Sequence, residues 1–112
     1  MNDSGTTALT RAGDAAWELR GGAEANGGGI AWALRSTGNA LASGFGRLKA
    51  GQTPPKTLDY DEVIHVLKGT LSVSCDGGQL VARAGDVISL SRGSAVVYSG
   101  TDAEFFFVVT AP

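Results

Sequence analysis

The sequence predicts an all-β domain, a sandwich or barrel of short strands, and three observations carry that prediction. Seventeen of the 112 residues are glycine, scattered along the chain, and glycine disfavours helix by up to about 1 kcal/mol per position. Between the glycines lie runs rich in Val, Ile, Leu, Phe and Thr, spaced about ten residues apart and bounded by Gly or Asp, which is the rhythm of strands and turns. The length suits one core of modest size rather than two.

Taken in order, residues 1 to about 28 are rich in Gly, Ala, Asn, Ser and Thr, with Trp17 and Leu19 as the only anchors. Residues 1–16 are therefore expected to be flexible, and 17–112 to form the folded domain. Strands are expected at Ile30–Ser36, Leu41–Lys49, Glu62–Leu67, Thr70–Cys75, Gln79–Ala82, Val87–Leu90, Ala95–Tyr98 and Glu104–Thr110. Lys68-Gly69 is read as the turn of a hairpin, because glycine takes the positive φ that a tight turn needs. Asp76-Gly77-Gly78 marks a second reversal. A period of two places Glu62, Ile64 and Val66 on one face and Val63, His65 and Leu67 on the other. Both faces are largely apolar, and Glu104–Thr110 repeats the pattern. One side then lines the barrel while the other meets a second layer or a second copy, so a homodimer is expected.

Charge excludes some partners. Nine basic against eleven acidic side chains, with no run of either sign, give no footprint for nucleic acid or an anionic membrane surface. The N-terminus lacks a basic start followed by an apolar stretch, and no segment approaches the ~18 apolar residues of a membrane span. A cytoplasmic protein that binds a small molecule is the expectation. The single cysteine, Cys75, allows no internal disulfide and suits a reducing compartment.

Two motifs refine the fold. Glu62 stands ahead of Gly69 at the expected head of a hairpin, and Gly85-Asp86-Val-Ile-Ser-Leu-Ser-Arg-Gly93 follows. The pair resembles the two motifs of the cupins, which implies a double-stranded β-helix, the jelly-roll barrel. In cupins two histidines precede the glutamate and a third follows the second motif, together holding a metal. Here the first two positions fall around Pro55, Lys56, Thr57 and Leu58, and the third falls on or beside Val96. The run Thr57-Leu-Asp-Tyr-Asp-Glu-Val-Ile-His-Val-Leu-Lys-Gly-Thr-Leu, with Ala84-Gly-Asp-Val-Ile and Arg92-Gly-Ser, resembles more closely the cupin domain of the ethanolamine-utilisation EutQ family, which also lacks the triad. That resemblance implies work around a bacterial microcompartment, and a phosphotransfer between acetyl phosphate and a nucleotide is ascribed to the family. The residues give the latter no support, since there is no GxxxxGK[ST] loop and no dense basic cluster.

Glu62 is the first candidate for chemistry. Its cupin counterpart points into the barrel, where a carboxylate needs a partner or a function and its pKa rises toward neutrality, as general acid/base work requires. Lys56, near the place of an absent histidine, would set a fixed positive charge beside it. Tyr60 shares the inward face by period and can polarise an oxygen, so the expected catalytic set is Glu62, Lys56 and Tyr60. Tyr98, Trp32 and Lys49 are the expected substrate-binding residues. Asp59 and Asp61 are assigned to the turn or to solvent, and Asp86 to a turn. His65, on the face opposite Glu62, cannot partner it. A lone histidine does not build the usual three-ligand metal site, so no metal and no other cofactor is expected. Cys75 reads as a small apolar residue.

The resulting expectation is a metal-independent lyase or dehydratase, isomerase or cyclase acting on a small polar organic molecule. The alternative is a non-catalytic metabolite-binding or accessory protein of an ethanolamine-utilisation-like pathway.

Overall fold

Two strands are far longer than their sequence suggests, and they set the architecture. The computed structural model describes residues 7–19, 28–35 and 38–110. Among these, the strands in chain order are β1 (Trp17–Leu19), β2 (Gly29–Leu34), β3 (Leu41–Leu48), β4 (Lys56–Thr57), β5 (Glu62–Cys75), β6 (Gly78–Arg83), β7 (Val87–Leu90) and β8 (Ala95–Thr110). All their pairings are antiparallel. The only helical turn among the described residues is a 3-10 turn at Ala12–Asp14. The all-β expectation holds. The end of the expected first strand, Ser36, lies outside the described residues.

β5 has 14 residues and β8 has 16. They pair from Glu62↔Val109 to Val66↔Phe105, slip register twice, and pair again from Thr70↔Thr101 to Cys75↔Val96. Each strand thus passes through two sheets, bending at one level. The first sheet runs β1-β2-β3-β8-β5-β7; the second runs β4-β8-β5-β6.

This corrects the hairpin expected at Lys68-Gly69. Gly69 does have positive φ, +71°, but the chain bends there and does not reverse. The left-handed conformation that closes a turn also opens a bulge, and local sequence does not distinguish the two. A Cβ on Gly69 would lie 2.2 Å from the Asp102 carbonyl oxygen, so the two strands touch backbone to backbone at the corner. On β8 the matching bend includes Asp102, with φ +47°, and joins what reads as two strands. The Asp76-Gly77 reversal is as expected: both residues have positive φ, +50° and +80°, as a two-residue hairpin turn requires. It closes the β5–β6 pair at Cys75↔Gly78.

The inward faces meet in a core whose fully buried members include Leu58, Ile64, Val66, Leu71, Val73 and Val96. Burying each such side chain contributes about 1.5 to 3 kcal/mol. On the first sheet the inward residues form cross-strand rows. Trp32, Gly44, Phe107, Ile64 and Ile88 are successive partners, as are Ile30, Gly46, Phe105 and Val66, and also Ala42, Val109, Glu62 and Leu90. Gly44 and Gly46 are required there: a Cβ would lie 2.8 Å from the Phe107 ring and 2.1 Å from the Phe105 ring. The aromatic rings lie over the glycines and fill the space their missing side chains leave.

On β5 Glu62, Ile64 and Val66 are buried while Val63, His65 and Leu67 are exposed, as the period of two predicts. Ahead of β1, Thr10 Oγ1 donates to the Ala33 carbonyl at 2.6 Å, tying that part of the expected flexible segment to β2. Residues 1–6 of that segment lie outside the described residues. Among the described residues no helix is long and apolar enough to cross a membrane.

Candidate functional site

Between the two sheets a cavity of about 1270 Å³ opens beside the ends of β2 and β4. Its inner wall is the Trp32, Phe105, Phe107, Ile64 and Val109 surface described above. Glu62 faces it as the first residue of β5, an inward position by alternation, with 8 % of its surface exposed. Glu62 Oε1 accepts a hydrogen bond from the Tyr98 hydroxyl at 2.6 Å, the one bond its carboxyl makes among the described residues. Burial raises the Glu62 pKa above its ordinary value, against the lowering effects of the Tyr98 bond and the Lys56 charge. Burial, and next the charge of Glu62, push the Tyr98 phenol far up, so Tyr98 remains a donor. The pair is a carboxyl group inclined to hold its proton and a phenol that does not release one.

The surroundings hold this pair in place. Thr53 brackets the Tyr98 backbone, its N–H donating to the Tyr98 carbonyl at 2.8 Å and its Oγ1 accepting from the Tyr98 N–H at 3.1 Å. The segment carrying Lys56 and Tyr60 is pinned on both sides. Leu58 exchanges bonds with Ser94 and Gly93, and Asp61 Oδ1 accepts from the Arg92 N–H at 2.8 Å while its own N–H donates to Thr110 Oγ1 at 3.0 Å. Lys56 pairs with Val96 across β4 and β8, which places it at an inward position. Its Nζ donates to the Tyr60 hydroxyl at 2.5 Å and lies 5.0 Å from the ring centroid, beyond the hydroxyl and not over the ring face. Glu62, Lys56, Tyr60, Tyr98 and Trp32 therefore line one cavity.

Lys49 does not join them. Leu48 faces inward, so the next residue turns out, and Lys49 lines a separate cleft with Arg47, Lys68, Asp102 and Glu104. Arg35 and Arg47, which the sequence reading leaves out, and Asp59, which it assigns to the turn or to solvent, all line the cavity. Arg35 lies over the Trp32 ring, 4.4 Å from its centroid, and Arg47 over Trp17 at 4.1 Å. Asp61, assigned to a turn, serves as the clip to Arg92 described above. Asp86 accepts from the Arg83 N–H at 2.9 Å, a turn contact as expected. His65 points away from Glu62. Cys75 is partly buried against the core, and its thiol, 3.3 Å from Asp76 Oδ2, has a raised pKa caused first by that bond.

A metal does not fit. The positions that would carry histidines, around Pro55, Lys56, Thr57 and Leu58 and on or beside Val96, hold no histidine, cysteine or carboxylate. Among the described residues no group of three or more His, Cys, Asp or Glu is placed to hold an ion. No step of the chemistry considered below passes through one.

A two-sheet barrel with β5 and β8 shared between its sheets, and a glutamate facing its mouth, is a cupin. More closely, residues 32–112 match the model of the family described as ethanolamine utilisation protein EutQ, and the chain belongs to that family. It is 36% identical over 75 residues to the acetate kinase EutQ of Escherichia coli (strain K12), covering 67% of this chain and 32% of the relative. To the acetate kinase EutQ of Clostridioides difficile (strain 630) it is 39% identical over 56 residues, covering 50% and 36%. The chain thus spans about a third of the length of the curated relatives it matches. Among solved structures it is similar to EutQ of Salmonella typhimurium LT2, at 31% identity and a TM-score of 0.62, over 74% of this chain and 69% of that one. KdgF from Halomonas sp., at 13% identity and a TM-score of 0.78 over 96% of both chains, shares the fold.

Proposed function

We propose that the cavity binds a small polar organic molecule and moves a proton on it without a metal. Glu62 is the general acid/base, and Lys56 with Tyr60 polarises an oxygen of the bound molecule. Elimination, isomerisation and cyclisation all suit this set, since each moves a proton beside a polarised oxygen and needs no redox group. The observation that carries the reading is Glu62 itself, a buried carboxyl with raised proton affinity and a single protein partner, on the wall of an open cavity. Perturbed groups so placed cluster at sites of proton transfer.

The test is proton exchange. Small hydroxy acids, oxo acids, aldehydes and sugar acids are incubated with the protein in D₂O, and deuterium uptake at carbon is followed by NMR. At least one compound is expected to exchange, and Glu62→Gln is expected to slow that exchange by about 10²-fold or more while the protein stays folded. Undiminished exchange in Glu62→Gln would remove Glu62 from the mechanism.

The family favours a second reading. The curated relatives carry the name acetate kinase, so an acetate-kinase activity, or an accessory part in ethanolamine utilisation, is the alternative for this chain. Transfer of phosphate from acetyl phosphate to ADP by the purified protein, unaffected by Glu62→Gln, would favour the kinase. Binding of a metabolite with neither activity would favour the accessory role.

A further inference from the structure

A bulge in β2 decides which way one arginine faces. Trp32 pairs with Gly44 and Leu34 with Ser43, so β2 carries one extra residue, Ala33, between these partners. Before the bulge Ile30 and Trp32 face the barrel, opposite Gly46 and Gly44. Beyond it the alternation is inverted. Leu34 shares the outer face with Ser43, whose row continues through Val108 to the exposed Val63. The next residue, Arg35, is exposed just past the strand end, and by the inverted alternation it falls on the barrel side, where it lines the cavity over Trp32. Without the extra residue Leu34 would point in and Arg35 out.

The position is specific. Continued one step past Leu34, the ladder would set Arg35 opposite Ala42, whose inward row runs through Val109 to Glu62, a span of about 14 Å between Cα atoms at the usual strand spacing. Ala42 leaves room between them. The guanidinium lies over Trp32, and that ring meets Phe107 edge to face, with centroids 5.3 Å apart. The guanidinium rests against the ring, and Arg35 makes no hydrogen bond or ion pair among the described residues. A guanidinium so held matches a carboxylate bidentately. The cavity wall carries three cationic residues, Arg35, Arg47 and Lys56, against two acidic ones, Asp59 and the buried Glu62.

We propose that the cavity takes an organic monocarboxylate with an aromatic or branched apolar body. Arg35 grips the carboxylate, Trp32, Phe105 and Phe107 hold the body, and the reacting carbon lies toward Glu62. This rests on the acid/base reading above and supplies its substrate class.

Calorimetric titration with benzoate and phenylacetate, against the neutral isosteres benzamide and phenylacetamide, tests it. The acids are expected to bind about tenfold or more tighter than the amides, the scale of one charge-assisted pair. Arg35→Gln should abolish that preference while leaving amide binding unchanged, and Arg35→Lys should restore only part of it. Equal binding of acid and amide, a preference that survives Arg35→Gln, or no saturable binding of either acid would each overturn the proposal. Displacement of benzoate by equimolar inorganic phosphate would also overturn it, by making the site one for oxyanions at large. Glu62→Gln separates the two claims: acid-over-amide binding retained with no exchange of any carboxylate by the parent protein sinks the acid/base reading and leaves the carboxylate site standing.

Discussion

Glu62 places its carboxyl where water solvates the charged form poorly, and this makes the site measurable through stability as well as through turnover. Its ordinary pKa is 4.5 and the fold raises it, so the folded state holds the proton more tightly than the unfolded chain. The resulting stabilisation is fully present below about pH 4.5 and is lost as pH rises through the folded-state value. Glu62→Gln removes that ionisation and can keep the bond from Tyr98. Its melting temperature is expected to lie close to that of the parent at acid pH and to rise above it toward neutrality; a constant offset at every pH would show that the carboxyl charge is not the cause. Most of this site is legible in the sequence because Glu62 and Tyr98 follow strand parity and Lys56 sits where a resembling motif marks a position; Tyr60 reaches the same cavity from the bend ahead of β5. Arg35 is not legible: the bulge at Ala33 inverts parity, and nothing in Ile30-Ala-Trp-Ala-Leu-Arg35 signals a bulge. Lys49 fails for the opposite reason, since plain alternation after the inward Leu48 turns it out of the barrel.

At the level of the strand, the residue that makes β5 one element is Gly69. Its φ of +71° and the Asp102 oxygen 2.2 Å from a hypothetical Cβ leave no relaxed geometry for a side chain. Gly69→Ala is expected to destabilise the protein by roughly 2 to 3 kcal/mol or more, read as a shift in the denaturation midpoint at unchanged slope. A loss under about 0.5 kcal/mol, the range of an indifferent surface substitution, would mean that the corner relaxes easily. The sequence locates the ends of β3, β6 and β7 within a residue or two, because turn residues bound them. It divides β5 and β8 into four strands, because a bend and a reversal use the same glycine chemistry and only the long-range partner differs. The short β4 carries no strand signal after Pro54-Pro55, and its pairing with Val96 is a tertiary contact.

For the whole molecule, part of the outer face of the first sheet is open among the described residues, although Ala31 on that face is buried. Val63, Leu67 and Val87 are exposed there, beside Phe45 and Phe106, whose rings pack 5.7 Å apart. A homodimer through this face is the expectation the pattern supports. Sedimentation should give twice the chain mass, and Val63→Lys with Phe106→Lys should give the monomer with the barrel intact; a parent protein monomeric at all accessible concentrations would remove the idea. The order of strands has a consequence of another kind. β8 is the last strand among the described residues, yet it lies between β3 and β5 in the first sheet and between β4 and β5 in the second. A ribosome delivers β3 and β5 long before it delivers the strand that separates them. Until then their inward edges are open to pairing with each other or with another chain, and the barrel forms only when Ala95–Thr110 has emerged to occupy the gap.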